Sequence, residues 1–260
     1  MRLLAVGDVF SDLGCETVRK VLPVLKKEKR IDAVIINGEN SAVGNGITPH
    51  SAECLFMYGA DVITGGNHSL RRKEIYPVLD NNPMLLRPDN LPDAQFGSGY
   101  CLADFGSFSM AVINLSGCIY LEKLSAENPF NAADRLIERA KEDNANIIVV
   151  DFHAEATSEK KALALYLDGR ISAFFGTHTH IQTADEQILK NGTGYITDLG
   201  MTGAADSVLG VKSEIIINRL KDGDMSKFEA ADGRCIFNGC IFEIDNATGK
   251  TLSIERIYIE

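Results

Sequence analysis

Cations are in the minority in this chain. Its 260 residues carry 26 Lys and Arg against 36 Asp and Glu, a formal net charge of −10. A sheath for a nucleic-acid backbone needs clustered Lys and Arg, so no extended nucleic-acid surface is expected. Long apolar runs are missing too. No stretch approaches the ~20 residues of a membrane-spanning helix, and no membrane contact is expected. The opening MRLLAVGDVF is too short an apolar run for a signal peptide, and Asp8 interrupts it. Paired cysteines are lacking. Cys15, Cys54, Cys101, Cys118, Cys235 and Cys240 are scattered, with no C-x-x-C among them. That excludes a zinc finger and reads as reduced core thiols in a cytoplasmic protein. Common nucleotide and hydrolase signatures fail as well. Gly249-Lys250-Thr251 looks like the end of a P-loop, but the first glycine would fall on Ile244. Gly44-Asn45-Gly46 lacks the third glycine of a dinucleotide fingerprint, and no G-x-S-x-G elbow occurs. There is no repeat, low-complexity segment or linker, so residues 1–260 read as one domain.

What is present is an ordinary globular composition, 45% hydrophobic and 24% charged. Strand and helix signals alternate over the first two-thirds. A first strand ends at Asp8 and a polar turn follows. A helix is expected over Glu16 to Arg30, with Val18, Val21, Leu22 and Leu25 on one face. Pro23 either kinks it or marks a late start. Further strands are expected at Ala33 to Asn37, Asp61 to Thr64, Ile147 to Val150, Ile171 to Phe175 and Tyr195 to Leu199. Thr48-Pro49 opens a helix that stops at Gly59. Asn81 to Asp93 reads as a loop, and Gly99 to Gly117 as two strands about Gly106. Helices are expected over Asn131 to Asp143 and Thr157 to Leu167, and a hairpin over Ile241 to Ile259. The expected fold is α/β: a layered sandwich of mixed sheets flanked by helices.

Chemistry gathers where the strands stop. RLLAVGD ends at Asp8, DAVIINGEN at Glu39 and Asn40, ADVITGGNH at Asn67 and His68, NIIVVDFH at His153, and RISAFFGTHTH at His178 and His180. Open α/β sheets bind ligands outside the carboxyl ends of their strands. Oxygen and imidazole groups gathered there describe a metal site. Each motif also has a plainer reading: a hydrogen-bonded pair for GTHTH, a turn for GGNH, helix caps for Asp8 and Glu39. Asp151 or Glu155 either orients a ligand from behind or is surface charge. His50 reads as a surface or helix residue.

These residues, in this order, resemble the metallophosphoesterase (calcineurin-like) superfamily. The segments GDV, NGEN, GNH, VINL, DFHAEATSEK, GTHTHIQTADE and TDLGMTG, from Gly7 to Gly203, resemble its bacterial YmdB-like branch. Three positions depart from the wider superfamily or the branch. Phe10 stands where most of the superfamily has the histidine of D-x-H. The bridging acid is Glu39 rather than Asp, with Asn40 in the vacated coordination position, as in the branch. Ser69-Leu70-Arg71 follows GNH where the branch carries an aromatic residue.

The resemblance implies two divalent or mixed-valence metal ions, iron or manganese. Asp8, Glu39, Asn40 and His180 would hold one, and Glu39, Asn67, His153 and His178 the other. Ligands of oxygen and imidazole alone suit the same metals, with zinc and magnesium disfavoured rather than excluded. His68 is left as general acid while a water activated between the ions attacks phosphorus. The implied substrate is a small anionic phosphodiester, above all a 2',3'-cyclic nucleotide. A nucleotide phosphomonoesterase on the same core and a metal-loaded regulatory protein are the alternatives. A homo-oligomer is compatible with either.

Overall fold

Side chains alternate across the first strand, β1 (Arg2–Val6), and the layers of the molecule follow from that alternation. Leu4 and Val6 pack with Val18 and Leu22 of helix α1 (Ser11–Lys29) and Leu55 of α2 (Pro49–Met57). Leu3 and Ala5 face the other way, into a cluster with Val112, Val149 and Phe175 of a second sheet. The far side of that sheet gives Ile113, Val150 and Phe174 to a third cluster, closed by Leu136 and Leu163. The order is therefore helix, sheet, sheet, helix. The computed structural model describes residues 1–92 and 95–260.

The first sheet holds β1, β2 (Asp8–Val9), β3 (Ala33–Asn37), β4 (Val62–Thr64), β11 (Met201–Ala204), β12 (Cys235–Ile244) and β13 (Thr251–Ile259). Its order is β2-β11-β12-β1-β3-β4, with β13 also on β12. β1, β3 and β4 run parallel; β12 crosses them antiparallel, Arg2 opposite Glu243 and Val6 opposite Gly239. The second sheet is β5 (Tyr100–Asp104), β6 (Ser109–Ser116), β7 (Ile147–His153), β8 (Ala173–Thr177), β10 (Gly194–Ile196) and β9 (Gln187–Ile188), in that order. Its middle strands β6, β7, β8 and β10 are parallel. Helices α4 (Pro129–Glu142) and α5 (Thr157–Leu167) cover it, while α3 (Tyr76–Asn81) precedes the loop that leads into β5.

Most expected elements are found, with shifted ends. Thr48 caps α2 through a capping box, and Pro49 is its first residue. α1 begins at Ser11, so the polar turn expected after Asp8 is its first turn, and Pro23 lies inside it. Gly14 is needed there, since a Cβ would overlap the Thr202 carbonyl of β11. β7 continues past Val150 to His153, because burial on both faces lets Asp151 and His153 extend the ladder. The loop expected to begin at Asn81 starts one residue later, and its end at Asp93 lies outside the described residues. Helix α6 (Ser213–Asp222) has no counterpart among the expected elements; it has no buried residue. All six cysteines are free thiols.

Candidate metal centre

Parallel strands deliver their carboxyl ends to one edge, and the polar residues named above come with them. Asp8 opens β2, Glu39 and Asn40 follow β3, Asn67 and His68 follow β4, His153 closes β7, and His178 and His180 follow β8. Asp8, Glu39, Asn40 and His153 are buried, and His68 keeps 25% of its side-chain surface. Gly66 lets the chain pass against the cluster: a Cβ there would overlap Glu39 Oε2 and His153 Nε2.

His153 Nε2 stands at the centre. Glu39 Oε1 lies 3.0 Å from it, Asn67 Oδ1 2.9 Å and His178 Nδ1 3.0 Å. A ring nitrogen carries at most one proton, so it cannot satisfy three such neighbours, whereas a cation among them can. Glu39, His153 and His178 offer ligand atoms that all lie within 4.8 Å of one another. Beside them, Asp8 Oδ1 is buried without a hydrogen-bond partner among the described residues. It lies 3.8 Å from His180 Nε2. Asn40 reaches the same place, with Nδ2 3.1 Å from Glu39 Oε1 and 3.2 Å from His180 Nε2. Its Oδ1 meets His68 Nδ1 at 3.1 Å. Ligation through the amide oxygen needs that side chain turned end for end, which its near-symmetric shape allows. The donor set therefore fits a metal centre.

The outer nitrogen of each of these three histidines is held by an oxygen. His153 Nδ1 lies 2.9 Å from Thr177 Oγ1, whose own proton goes to Asp151 at 2.8 Å. The hydroxyl must then accept from His153, leaving Nε2 as the lone pair that faces the cluster. His178 Nε2 meets Glu155 at 3.1 Å, and His180 Nδ1 donates to the Leu209 carbonyl at 3.1 Å. Such outer partners fix tautomers in metal-binding histidines. Asp151 is fully buried, so its reading as surface charge is overturned; Glu155 is the exposed one. His50 is exposed on α2 and takes no part.

Charges answer one another. Burial works against ionising both Glu39 and His153. Glu39 is nonetheless held well below the usual carboxylate range by His153 and His68. His153 is pushed up to about 9 by Glu39, with Asp8 and Asp151 behind it. Burial, then His153, push His178 down to about 3, which keeps it neutral, as a ligand must be. Burial also raises Asp8.

Two contributors are given no supporting role in the sequence pattern above. Lys160 and Asp198 form a fully buried ion pair at 2.6 Å, and Asp198 also accepts from the Thr179 backbone between the two histidines. His178 and His180 both have positive φ, 101° and 65°, a conformation a non-glycine residue holds only when its surroundings fix it. Lys160 could have been found, since it lies three and four residues before Leu163 and Ala164 on the buried face of α5. Phe10 is the second. Its ring meets His180 edge-on at 5.7 Å and fills the space where a Cβ on Gly210 would overlap it. Where the wider superfamily has a histidine, the chain has a ring wedged against the candidate ligand His180.

Two mixed sheets between helices, with Asp, Glu, Asn and His at their shared edge, are the build of a calcineurin-like metallophosphoesterase. Within that class the chain belongs to the YmdB-like family: the family model, described as YmdB-like protein, matches residues 4–257. A 2',3'-cyclic-nucleotide 2'-phosphodiesterase of Bacillus subtilis (strain 168) is 46% identical over 259 residues, covering 100% of this chain and 97% of that protein. A solved structure of a novel phosphatase from Mycoplasma pneumoniae has a TM-score of 0.94 at 34% identity, covering 100% of this chain and 93% of that one. A hypothetical protein from Thermus thermophilus gives 0.92 at 38%, with 100% and 99% covered. A putative 5'-nucleotidase from Staphylococcus aureus shares the fold, TM-score 0.62 at 16% identity over 54% of its length.

Proposed function

We propose that this protein is a dinuclear metal-dependent phosphodiesterase acting on small phosphodiesters, 2',3'-cyclic nucleotides above all. The observation that carries the reading is the convergence of Glu39, Asn67 and His178 on His153 Nε2 within 3.0 Å. Likeness to the Bacillus subtilis enzyme supports the substrate class. Asp8, Glu39, Asn40 and His180 would hold one ion, and Glu39, Asn67, His153 and His178 the other. Oxygen and imidazole donors suit iron or manganese. Two such cations supply charge neutralisation for the phosphate and an acidic water.

The chain's own residues do the rest. Glu39 is fixed by the His68 backbone N–H, which donates to Oε2 at 2.9 Å, so that Oε1 is turned to the cluster. His68 anchors its Nδ1 on Asn40, leaving Nε2 to give a proton to the leaving alkoxide. Ligands come from both sheets, which supports one working domain over residues 1–260. Six free thiols support a cytoplasmic setting. Among the described residues no helix is long and apolar enough to cross a membrane.

The test is elemental analysis of the native protein, paired with turnover of cyclic diesters, linear diesters and nucleotide monoesters. Metal near two ions per chain and preference for 2',3'-cyclic substrates are expected. No metal uptake, or turnover of monoesters alone, would overturn the reading.

A further inference from the structure

A cavity of about 870 Å³ opens beside the candidate centre, bordered by Glu39, Asn40, His68, His178 and His180 at one end. That is near the upper limit for small-molecule sites, and a phosphate alone would fill little of it. An apolar part of its wall is built by Val43, Val208, Leu209, Ile216 and Phe228. Four of these five come from residues 208–228, the stretch that carries α6. Phe228 is 48% exposed, which is costly for a bare ring. The Arg219 guanidinium stacks over it at 4.1 Å from the centroid, and the same Arg219 donates to the Ser226 carbonyl at 2.6 Å. The ring is thus braced from one side while it lines the cavity.

Glu155 belongs to the centre, 3.1 Å from His178 Nε2; the other charged side chains on the cavity wall are Lys227 and Glu229, and Lys212 pairs with Glu229 at 2.6 Å. One lysine beside one paired carboxylate makes no cluster of cations for a second phosphate. A flat, uncharged, polarisable group suits an aromatic and aliphatic wall far better. Asn45 also lines the cavity.

We propose that this wall, with Phe228 as its stacking face, is a nucleobase subsite, and that it makes a single cyclic nucleotide the substrate rather than the phosphorylated end of a longer chain. The proposal rests on the phosphodiesterase reading above. It supplies from residues 208–228 the aromatic rim that Ser69 does not provide. Ser69 is buried, with its hydroxyl accepting from the Gly66 backbone at 2.8 Å.

Manganese-loaded protein is assayed on 2',3'-cyclic AMP and on base-free ribose 2',3'-cyclic phosphate. The wild type should favour the nucleotide in kcat/KM by about tenfold or more, and Phe228→Ala should remove most of that ratio. Arg219→Gln, which leaves the ring but not its brace, should remove part of it. Equal handling of both substrates by the wild type, or an unchanged ratio in Phe228→Ala, overturns the subsite. Failure to turn over either substrate overturns the phosphodiesterase reading instead, and the subsite is then decided by adenosine. Saturation-transfer NMR should show adenosine on the wild type and a weakened signal on Phe228→Ala. No transfer to adenosine, or equal transfer in both, counts against the base subsite.

Discussion

His68 and His153 are the same residue type in one cluster, and their surroundings separate their work. His153 is buried with Nε2 among three donors, while His68 is partly exposed with Nε2 free. His68→Ala should therefore keep the metal and lose about 10²–10⁴-fold in rate on a diester with a poor leaving group. An activated nitrophenyl ester needs little protonation and should lose much less. Loss of metal, or equal slowing on both esters, would remove His68 from the role of acid. His153 carries a pH prediction. Glu39 pushes it up to about 9, and a ligand imidazole must be neutral. Below about pH 9 an incoming ion displaces its proton, so affinity should climb with pH and level off above that value. Calorimetric titration of manganese into metal-free protein at pH 7 should show heats that vary with buffer ionisation enthalpy; invariant heats would contradict it. At this scale the sequence shows the candidate ligands well, because Asp8, Glu39, Asn67, His153, His178 and His180 each stand where an apolar run stops. It does not show their supports. Thr177 lies in plain sight within GTHTH, yet only the tertiary fold brings it between Asp151 and His153.

The H-x-H turn is held from two elements it does not belong to. Lys160 on α5 and Asp198 after β10 are buried together, and Asp198 takes the Thr179 backbone N–H at 3.2 Å. Removing one partner of a buried pair costs about 3–5 kcal/mol, because the other charge is stranded. Lys160→Met should lower the melting temperature sharply and weaken metal binding. Lys160→Met with Asp198→Leu should recover much of the stability but not the metal affinity, since the Thr179 N–H has lost its acceptor. Recovery of both in the double variant would show that the pair does not position the turn. Element ends are the less legible part of the fold. In α5, where Leu163, Ala164 and Leu167 mark the buried face, the expected span matches the structure, Thr157–Leu167, although Glu159 and Lys160 share that face. Where burial is two-sided, as in β7, polar residues do not end the strand. Where no side chain is fully buried, as in α6, the helix has no counterpart among the expected elements.

Across the whole molecule, the candidate ligand set draws on both sheets: Asp8, Glu39 and Asn67 arrive from the first, His153, His178 and His180 from the second. Ion binding that spans both should stabilise the folded chain by RT ln(1 + [L]/Kd), about 2.7 kcal/mol at a hundredfold excess over Kd. A chelator should therefore lower the melting temperature of the whole transition, and manganese or iron should restore it. A melting curve indifferent to chelation would mean that the cluster holds no ion in solution. The pairing of β1 with β12 has a further consequence. Arg2 meets Glu243 and Val6 meets Gly239, so the first strand made waits for one made more than two hundred residues later. During synthesis every candidate ligand has left the ribosome while one edge of β1 still stands open. Closing so distant a contact is slow, and the candidate ligands thus precede the frame that aligns them: on the metal-dependent reading, the ions would be gathered at the end of the protein's own making.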